Sequence, residues 1–151
     1  MKILNYGQEH FSKWLSMTHI LLQDYKIGDL ENKLKRIEKS DKHQTFIAMD
    51  EENVIGYATT SIRSEYIEGA SSSPVAYLEM IFIEENYRKK GIAKKLYESV
   101  ENWALEKGFN QIGSDTWEWN KASREFHMQL GFKETEVLVH FIKDIHPPEK
   151  E

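Results

Sequence analysis

Nine consecutive residues, from Val75 to Ile83, are apolar except for Glu79. A strand without a polar face must be covered on both sides, as a central strand between helices is. The rest of the chain alternates between helical and strand-like spacing of its apolar residues. This spacing predicts helices over 8–25, 29–39, 91–107 and 120–130, and further strands over 45–49, 54–64, 111–116 and 135–143.

The predicted element order is α-α-β-β-β-α-β-α-β, which is typical of an α/β or α+β sheet with helices packed on it. We expect Asp29 to cap the second helix and Asn120 the fourth, with Gly108 and Gly131 ending the third and fourth. The chain has 151 residues and shows no repeat or internal linker. We therefore expect a single domain over residues 1–146 and a loose tail at 147–151.

Composition excludes several classes of protein. Apolar residues make up 40% of the chain and charged residues 30%, which argues against disorder and low complexity. No apolar run approaches the length of a membrane span, and the first residues turn polar too soon for a signal peptide. The absence of cysteine removes disulfides, thiolate zinc sites and a cysteine nucleophile, and it fits a cytoplasmic location.

The formal net charge is −5, from 20 Lys and Arg against 25 Asp and Glu. Nucleic-acid binding usually needs a basic surface, so we expect none. An acidic balance makes many proteins soluble, and it also suits a cationic substrate held by carboxylates. The total charge does not choose between these two interpretations.

A basic turn with one glycine joins the Val75–Ile83 strand to the third helix. The free N–H groups and the dipole at a helix start favour a phosphate, and Gly91 and Ala93 allow its close approach. The alternative is an ordinary solvated turn, because the pattern Arg88-x-x-Gly91-x-Ala93 is short. Neither a Walker loop nor a Gly-x-Gly-x-x-Gly motif is present.

Two carboxylates are candidates for chemistry. Glu79 interrupts the apolar strand, where a charge is unfavourable unless it is paired or used. It lies either in a bulge or a buried ion pair, or it acts as a base or as a ligand for a substrate amine. Asp115 lies near the end of the following strand, where sheet proteins place ligands, and too far before Asn120 to cap the fourth helix.

Two other site classes are not indicated. The six histidines show no metal-binding spacing such as His-Glu-x-x-His, so we predict no metal. No Gly-x-Ser-x-Gly elbow is present, which argues against a serine hydrolase.

Residues 77–95, which contain the Arg88 pattern, resemble the acetyl-CoA motif of the GCN5-related N-acetyltransferases (GNAT). Asn120 and the run from His127 to Phe132 resemble the second motif of that family. Further peptides are similar to its aminoglycoside 6′-N-acetyltransferase branch: Ser61-Ile62-Arg63-x-Glu65-Tyr66, Ser73-Pro74-Val75, Tyr77-Leu78-Glu79, Glu101-x-Trp103-Ala104, Ser114-Asp115 and Leu130-Gly131-Phe132-x-Glu134-Thr135-Glu136.

The resemblance implies the GNAT fold, a mixed and mostly antiparallel central sheet with helices on both faces, and acetyl-CoA as co-substrate. It implies that Asn120 binds the CoA chain and that the pantetheine arm pairs with the backbone of Ile81, Phe82 and Ile83. The pyrophosphate would lie on Arg88, Lys89, Lys90, Gly91, Ile92, Ala93 and Lys94. The drug pocket would be lined by Tyr66, Glu79, Asp115 and Glu136.

In the reaction that the resemblance implies, a neutral 6′-amine attacks the thioester directly. Asp115 or Glu79 would accept the proton, and a strand N–H would stabilise the oxyanion. Members of this branch are often homodimers, in which Tyr66 would reach the neighbouring subunit. Two positions depart from the resemblance. His127 stands where many members of the wider family have a tyrosine that protonates the leaving thiolate, although this histidine is usual in the aminoglycoside branch. Leu22 stands where some members of the branch have a tryptophan that contacts the drug.

Two alternatives stay open. One is an acetyltransferase for a polyamine or for a protein or peptide amine, which would share the CoA half of the site and differ in the pocket. The other is a CoA-binding sensor without turnover, against which the presence of both acids argues.

Overall fold

Five strands form one mixed sheet in the first of two units of the chain. The computed structural model describes residues 1–149, which divide into residues 1–116 and a unit that begins at Trp117. Short 3₁₀ turns at Gln8–His10 and Glu85–Tyr87 precede the first and third helices. The regular elements of the first unit are β1 (Lys2–Asn5), α1 (Phe11–Leu21), α2 (Ile27–Lys39), β2 (His43–Asp50), β3 (Asn53–Arg63), β4 (Val75–Ile83), α3 (Ile92–Glu106) and β5 (Ile112–Ser114).

The strands follow chain order across the sheet. The pairs from β1 to β4 are antiparallel, and β4 pairs with β5 in parallel. In β3 every residue from Ile55 to Ser61 is buried, and because successive side chains point to opposite faces, both faces must be covered. α3 contacts β2, β3 and β4, and α1 contacts β3, β4 and α2. The helices α1 and α2 and the strands share one core cluster, which consists of Trp14, Met17, Leu34, Ile47, Tyr57, Met80 and Phe82.

Several features of the first unit differ from the sequence-based expectation. The first helix covers Phe11–Leu21 of the predicted 8–25, and β5 covers Ile112–Ser114 of the predicted 111–116. β1 was not predicted, because a four-residue edge strand is too short to show an alternating pattern. The prediction that Asp29 caps α2 is wrong, since the helix begins at Ile27 after Lys26, without a side-chain capping bond. Asp29 lies instead in the first turn, where its negative charge interacts favourably with the positive end of the helix dipole.

Within residues 117–149, the second unit contains one helix, α4 (Lys121–Gln129). Asn120 is confirmed as its cap, because Oδ1 accepts the Ser123 N–H at 3.1 Å. The predicted strand over 135–143 is wrong: these residues have no regular structure and their side chains are exposed. An alternating pattern supplies strand propensity, but a strand also needs a neighbour to complete its hydrogen bonds. Of the predicted tail, residues 147–149 are exposed without regular structure, and 150–151 lie outside the described residues.

The longest helix, α3, has 15 residues, fewer than the roughly 20 that cross a bilayer. Among the residues that the structure describes, no helix is both long and apolar enough to be a membrane span.

Candidate active site

A β-bulge determines the position of Glu79 in β4. Thr59 of β3 pairs with Met80, whereas the next residue, Thr60, pairs with Leu78. Glu79 is therefore not paired with any β3 residue in the strand ladder. A bulge bends its strand and re-aims the side chain that it carries.

Arg63 and Ser61 bind both oxygens of the Glu79 carboxylate. Arg63 donates from Nε to Oε2 at 2.8 Å and from Nη2 to Oε1 at 2.6 Å, and Ser61 Oγ donates to Oε2 at 2.6 Å. Burial alone would raise the pKa of Glu79, but these hydrogen bonds and the Arg63 charge outweigh it and lower the pKa below its ordinary value. Glu79 is therefore an ionised, paired carboxylate and a weak base.

Tyr77 connects this ion pair to Asp115. The Arg63 guanidinium carbon lies 3.5 Å from the centroid of the Tyr77 ring, and the Tyr77 hydroxyl donates to Asp115 Oδ2. Burial, together with this hydrogen bond, raises the pKa of Tyr77, so the phenol keeps its proton. Asp115 directly follows β5 and is exposed. The two candidate acids, Glu79 and Asp115, are thus joined in one continuous network.

A cavity of about 430 Å³ opens beside Glu79. Its wall includes Lys33 and Arg36 of α2 and His43 of β2. His43 Nδ1 lies 2.8 Å from the Ser40 hydroxyl. Burial lowers the pKa of His43, so the imidazole is neutral at pH 7. The cavity therefore places cationic and neutral polar groups beside the carboxylate.

The basic turn enters α3 through a glycine. Gly91 precedes the helix with a φ of 80°, in the left-handed region that favours glycine. No side-chain capping bond is formed at this end of α3, so a ligand could satisfy the first N–H groups. Arg88 Nε donates to the Ile83 carbonyl at 2.8 Å, so this side chain stabilises the turn itself. Lys89, Lys90 and Lys94 supply the remaining positive charge.

β4 and the edge strand β5 separate after a short parallel ladder, at a point that we call the fork. β4 pairs with β5 only at Ala76, Tyr77 and Leu78. Beyond this fork, Ile81, Phe82 and Ile83 pair with β3 along one edge and are outside the β5 ladder on the other. The fork therefore places Asp115 and a strand edge next to each other.

Three residues implied by the resemblance lie outside this network. Tyr66 lies between β3 and β4, is 74% exposed and donates to Glu68 Oε2 at 2.8 Å. Asn120 and Glu136 belong to the second unit, where Asn120 caps α4 and Glu136 is exposed.

The two positions at which the resemblance is imperfect, His127 and Leu22, have local packing roles. His127 Nδ1 lies 2.7 Å from the Ser123 carbonyl oxygen, so this nitrogen carries the proton. Its ring meets the Phe132 ring edge-on at 5.2 Å. Leu22 packs against the core cluster. Within residues 1–149, no group of three or more His, Asp or Glu side chains is placed to hold a metal.

Sequence reasoning gave Arg63 and Tyr77 no role. One signal was available, because a carboxylate in an apolar strand calls for a cation. Identifying that cation as Arg63 requires the register between β3 and β4. The bulge shifts this register by one residue, which the apolar pattern does not show.

The chain matches the acetyltransferase (GNAT) family over residues 14–132. It is 35% identical to an aminoglycoside N(6′)-acetyltransferase type 1 of Salmonella typhimurium strain LT2, over 95% of this chain and 99% of that protein. A protein of the same name from Acinetobacter baumannii is also 35% identical, over 96% and 99% of the two chains.

Solved structures agree with these relatives. Aminoglycoside N-acetyltransferase AAC(6′)-Iy in complex with CoA has a TM-score of 0.87 and 34% identity, covering 94% of this chain and 93% of its own. AAC(6′)-Iy in complex with the bisubstrate analogue CoA-S-monomethyl-acetylneamine has a TM-score of 0.87 and 33% identity, covering 95% and 98%. This chain therefore belongs to the acetyltransferase (GNAT) family, among the aminoglycoside 6′-N-acetyltransferases.

Proposed function

We propose that this protein transfers the acetyl group of acetyl-CoA to the 6′-amine of aminoglycoside antibiotics and so confers resistance to them. The observation that carries the proposal is the fork at which β4 and β5 stop pairing, after Leu78 and Ser114. Asp115 is the first residue beyond the fork on the β5 side. A carboxylate and an available strand edge meet there, as a reaction between an amine and an extended thioester requires.

Acetyl-CoA would bind along β4 and at the start of α3. The pantetheine arm, which contains amides, can add to Ile81, Phe82 and Ile83 as a short extra strand. The pyrophosphate would then accept hydrogen bonds from the N–H groups that follow Gly91, with Lys89, Lys90 and Lys94 contributing charge. Asn120 would bind the CoA chain. A similar enzyme has been solved in complex with CoA, which supports CoA as the ligand.

Asp115 is the proton acceptor in the proposed reaction. The neutral amine attacks the thioester carbon, the C–N bond forms, the C–S bond breaks, and the nitrogen loses one proton to Asp115 directly or through water. The thiolate of CoA takes its proton from solvent, and a strand N–H stabilises the oxyanion. Glu79 is not assigned this role, because Arg63 and Ser61 occupy both its oxygens.

The acceptor side of the site would bind a polycation. Ammonium groups form charge-assisted hydrogen bonds with carboxylates, and we assign Glu79, Asp115 and Glu136 to this role, with Tyr66 beside them. The net charge of −5 also favours the approach of a cationic drug.

The reaction is tested by thiol release from acetyl-CoA with two matched drugs. Kanamycin carries a 6′-amine, and paromomycin carries a 6′-hydroxyl. We expect release with kanamycin and none with paromomycin. Release with spermidine or a peptide amine but neither drug would move the activity to another acceptor, and tight CoA binding without any release would make the protein a sensor.

Replacing Gly91 by valine should weaken CoA binding by at least about tenfold. A β-branched residue strongly disfavours a φ of 80°, and its side chain would also stand where the pyrophosphate approaches. Gly108, at the opposite end of α3, has a φ of 89°, so Gly108→Val is the matched control. Calorimetric titration with CoA should show full affinity for the control. Equal affinities of both variants would refute the assignment at Gly91.

We also propose that residues 1–146 act as one domain in the cytoplasm. The family match crosses the boundary between the two units, since it runs from residue 14 to residue 132. The cytoplasm holds acetyl-CoA, and a chain without cysteine suits its reducing conditions.

A homodimer is the oligomeric state that we propose. Exposed contiguous apolar surface is rare in monomers, and the C-terminal segment exposes Val137, Leu138, Val139, Phe141, Ile142 and Ile145 by 64% to 99%. A second copy would cover these side chains, and Tyr66 would reach its site.

Light scattering should give twice the chain mass of 17.8 kDa, and Phe141→Glu with Ile142→Glu should reduce the mass to that of one chain. A monomeric parent protein would contradict the proposal.

A further inference from the structure

We infer that Tyr77 is a positioning residue that holds the Asp115 carboxylate at the fork of the sheet, an inference that rests on the proposed role of Asp115. Tyr77 is 5% exposed, and its hydroxyl donates to Asp115 Oδ2. Asp115 is exposed and follows a strand of three residues. An exposed aspartate samples several rotamers unless a fixed group selects one.

Arg63 and Gly113 determine where the Tyr77 ring can lie. The Arg63 guanidinium lies on it at 3.5 Å, which is a cation–π contact. Gly113 pairs with Tyr77 in the parallel ladder. A Cβ at position 113 would lie 2.8 Å and 2.9 Å from ring atoms Cδ2 and Cε2. Glycine at 113 therefore leaves the space that the ring occupies.

Glu79 acts on Asp115 through the same contacts. Its carboxylate fixes the Arg63 guanidinium with two hydrogen bonds, at 2.8 Å and 2.6 Å. The guanidinium in turn covers the Tyr77 ring. The bulge at Glu79 therefore determines where the ring lies and, through the phenol, where the Asp115 carboxylate lies. This gives the paired acid a supporting function in addition to the proposed contact with substrate.

The inference is tested by a double-mutant cycle on turnover with kanamycin. Tyr77→Phe keeps the ring and its packing and removes only the hydroxyl. We expect kcat to fall about tenfold or more, since misplacing a catalytic group is costly, while KM for acetyl-CoA stays within about twofold. In an Asp115→Asn background, Tyr77→Phe should cause no further loss, because its effect passes through the carboxylate.

A matched control is Tyr97→Phe, since Tyr97 is also buried and its hydroxyl is hydrogen-bonded to Glu101; its kcat should be unchanged. If Tyr77→Phe keeps full kcat while Asp115→Asn is impaired, the inference alone fails. Independent losses that multiply in the double variant would also overturn it. Full activity of Asp115→Asn would instead remove the proposed role of Asp115, and the inference with it. Should Tyr77→Phe fail to fold, Gly113→Ala, which displaces the ring and keeps the hydroxyl, takes its place in the cycle.

Discussion

Replacing Asp115 by asparagine should lower kcat for 6′-amino aminoglycosides by about 100-fold or more, the usual effect of removing a general base. Asparagine has nearly the same shape, and its Oδ1 can still accept the Tyr77 hydroxyl, but the amide cannot take the proton of the attacking amine. Acetyl-CoA affinity should change little, because we assign CoA to β4 and the start of α3. Steady-state thiol release with kanamycin, and calorimetric titration with CoA, measure the two quantities separately.

Glu106→Gln is the matched control for this prediction. Glu106 ends α3 and is exposed, and its replacement removes the same single negative charge. It should leave kcat within about twofold of the parent value, since an isolated surface charge acts weakly. Full turnover in Asp115→Asn would exclude this residue as the proton acceptor, and Glu79 would be tested next.

Replacing Arg63 by glutamine should reduce the free energy of unfolding at pH 7 by roughly 2 to 3 kcal/mol. Removing one partner of a buried pair leaves an uncompensated charge, and the partial exposure of these side chains, 27% and 21%, moderates that penalty. The loss should appear in the midpoint of urea unfolding. Lys35→Gln is the control, because Lys35 pairs with Glu31 at the surface, where such a pair contributes at most about 1 kcal/mol.

The stability loss caused by Arg63→Gln should depend on pH. In the parent protein the pKa of Glu79 lies below its ordinary value, so the stabilisation is complete above the unfolded pKa and is lost as pH falls through the folded pKa. Without Arg63, burial disfavours the ionised carboxylate of Glu79. Protonation of Glu79 at low pH removes this destabilisation of the variant. The stability difference between the two proteins should therefore be largest where Glu79 is ionised in both, and it should become smaller as the pH falls through the ordinary pKa of a glutamate and below it. A difference that is constant with pH would mean that Arg63 stabilises by packing alone.

Much of the fold could be predicted because its elements are long and strongly patterned. The apolar run at Val75–Ile83 has the bounds of β4, and the predicted 91–107 helix differs from α3 by one residue at each end. The failures occur where local pattern is insufficient. The four residues of β1 are too few to show a period, and 135–143 has a strand pattern without regular structure.

The candidate site was predictable in its residues and less so in its connections. Glu79 attracted attention because a charge is unusual in an apolar strand, and both structural explanations considered for it, a bulge and an ion pair, are present. Gly91 was predicted only to allow a phosphate to approach the start of the third helix, and its left-handed φ is seen only in the structure. Arg63 and Tyr77 belong to peptides that resemble the aminoglycoside branch, but nothing in their spacing shows that they link the two acids.

The sequence by itself determined the class of fold, most of the helices and strands, the family, and the two acids, because periodicity and short motifs are local properties. Only the tertiary structure decided that Arg63 neutralises Glu79, that Tyr77 reaches Asp115, and that β4 and β5 part beside that carboxylate. These contacts join residues up to 38 positions apart, and they depend on a register that one bulged residue shifts. Side-chain pairing across a sheet follows that register, which the packing of the whole domain selects.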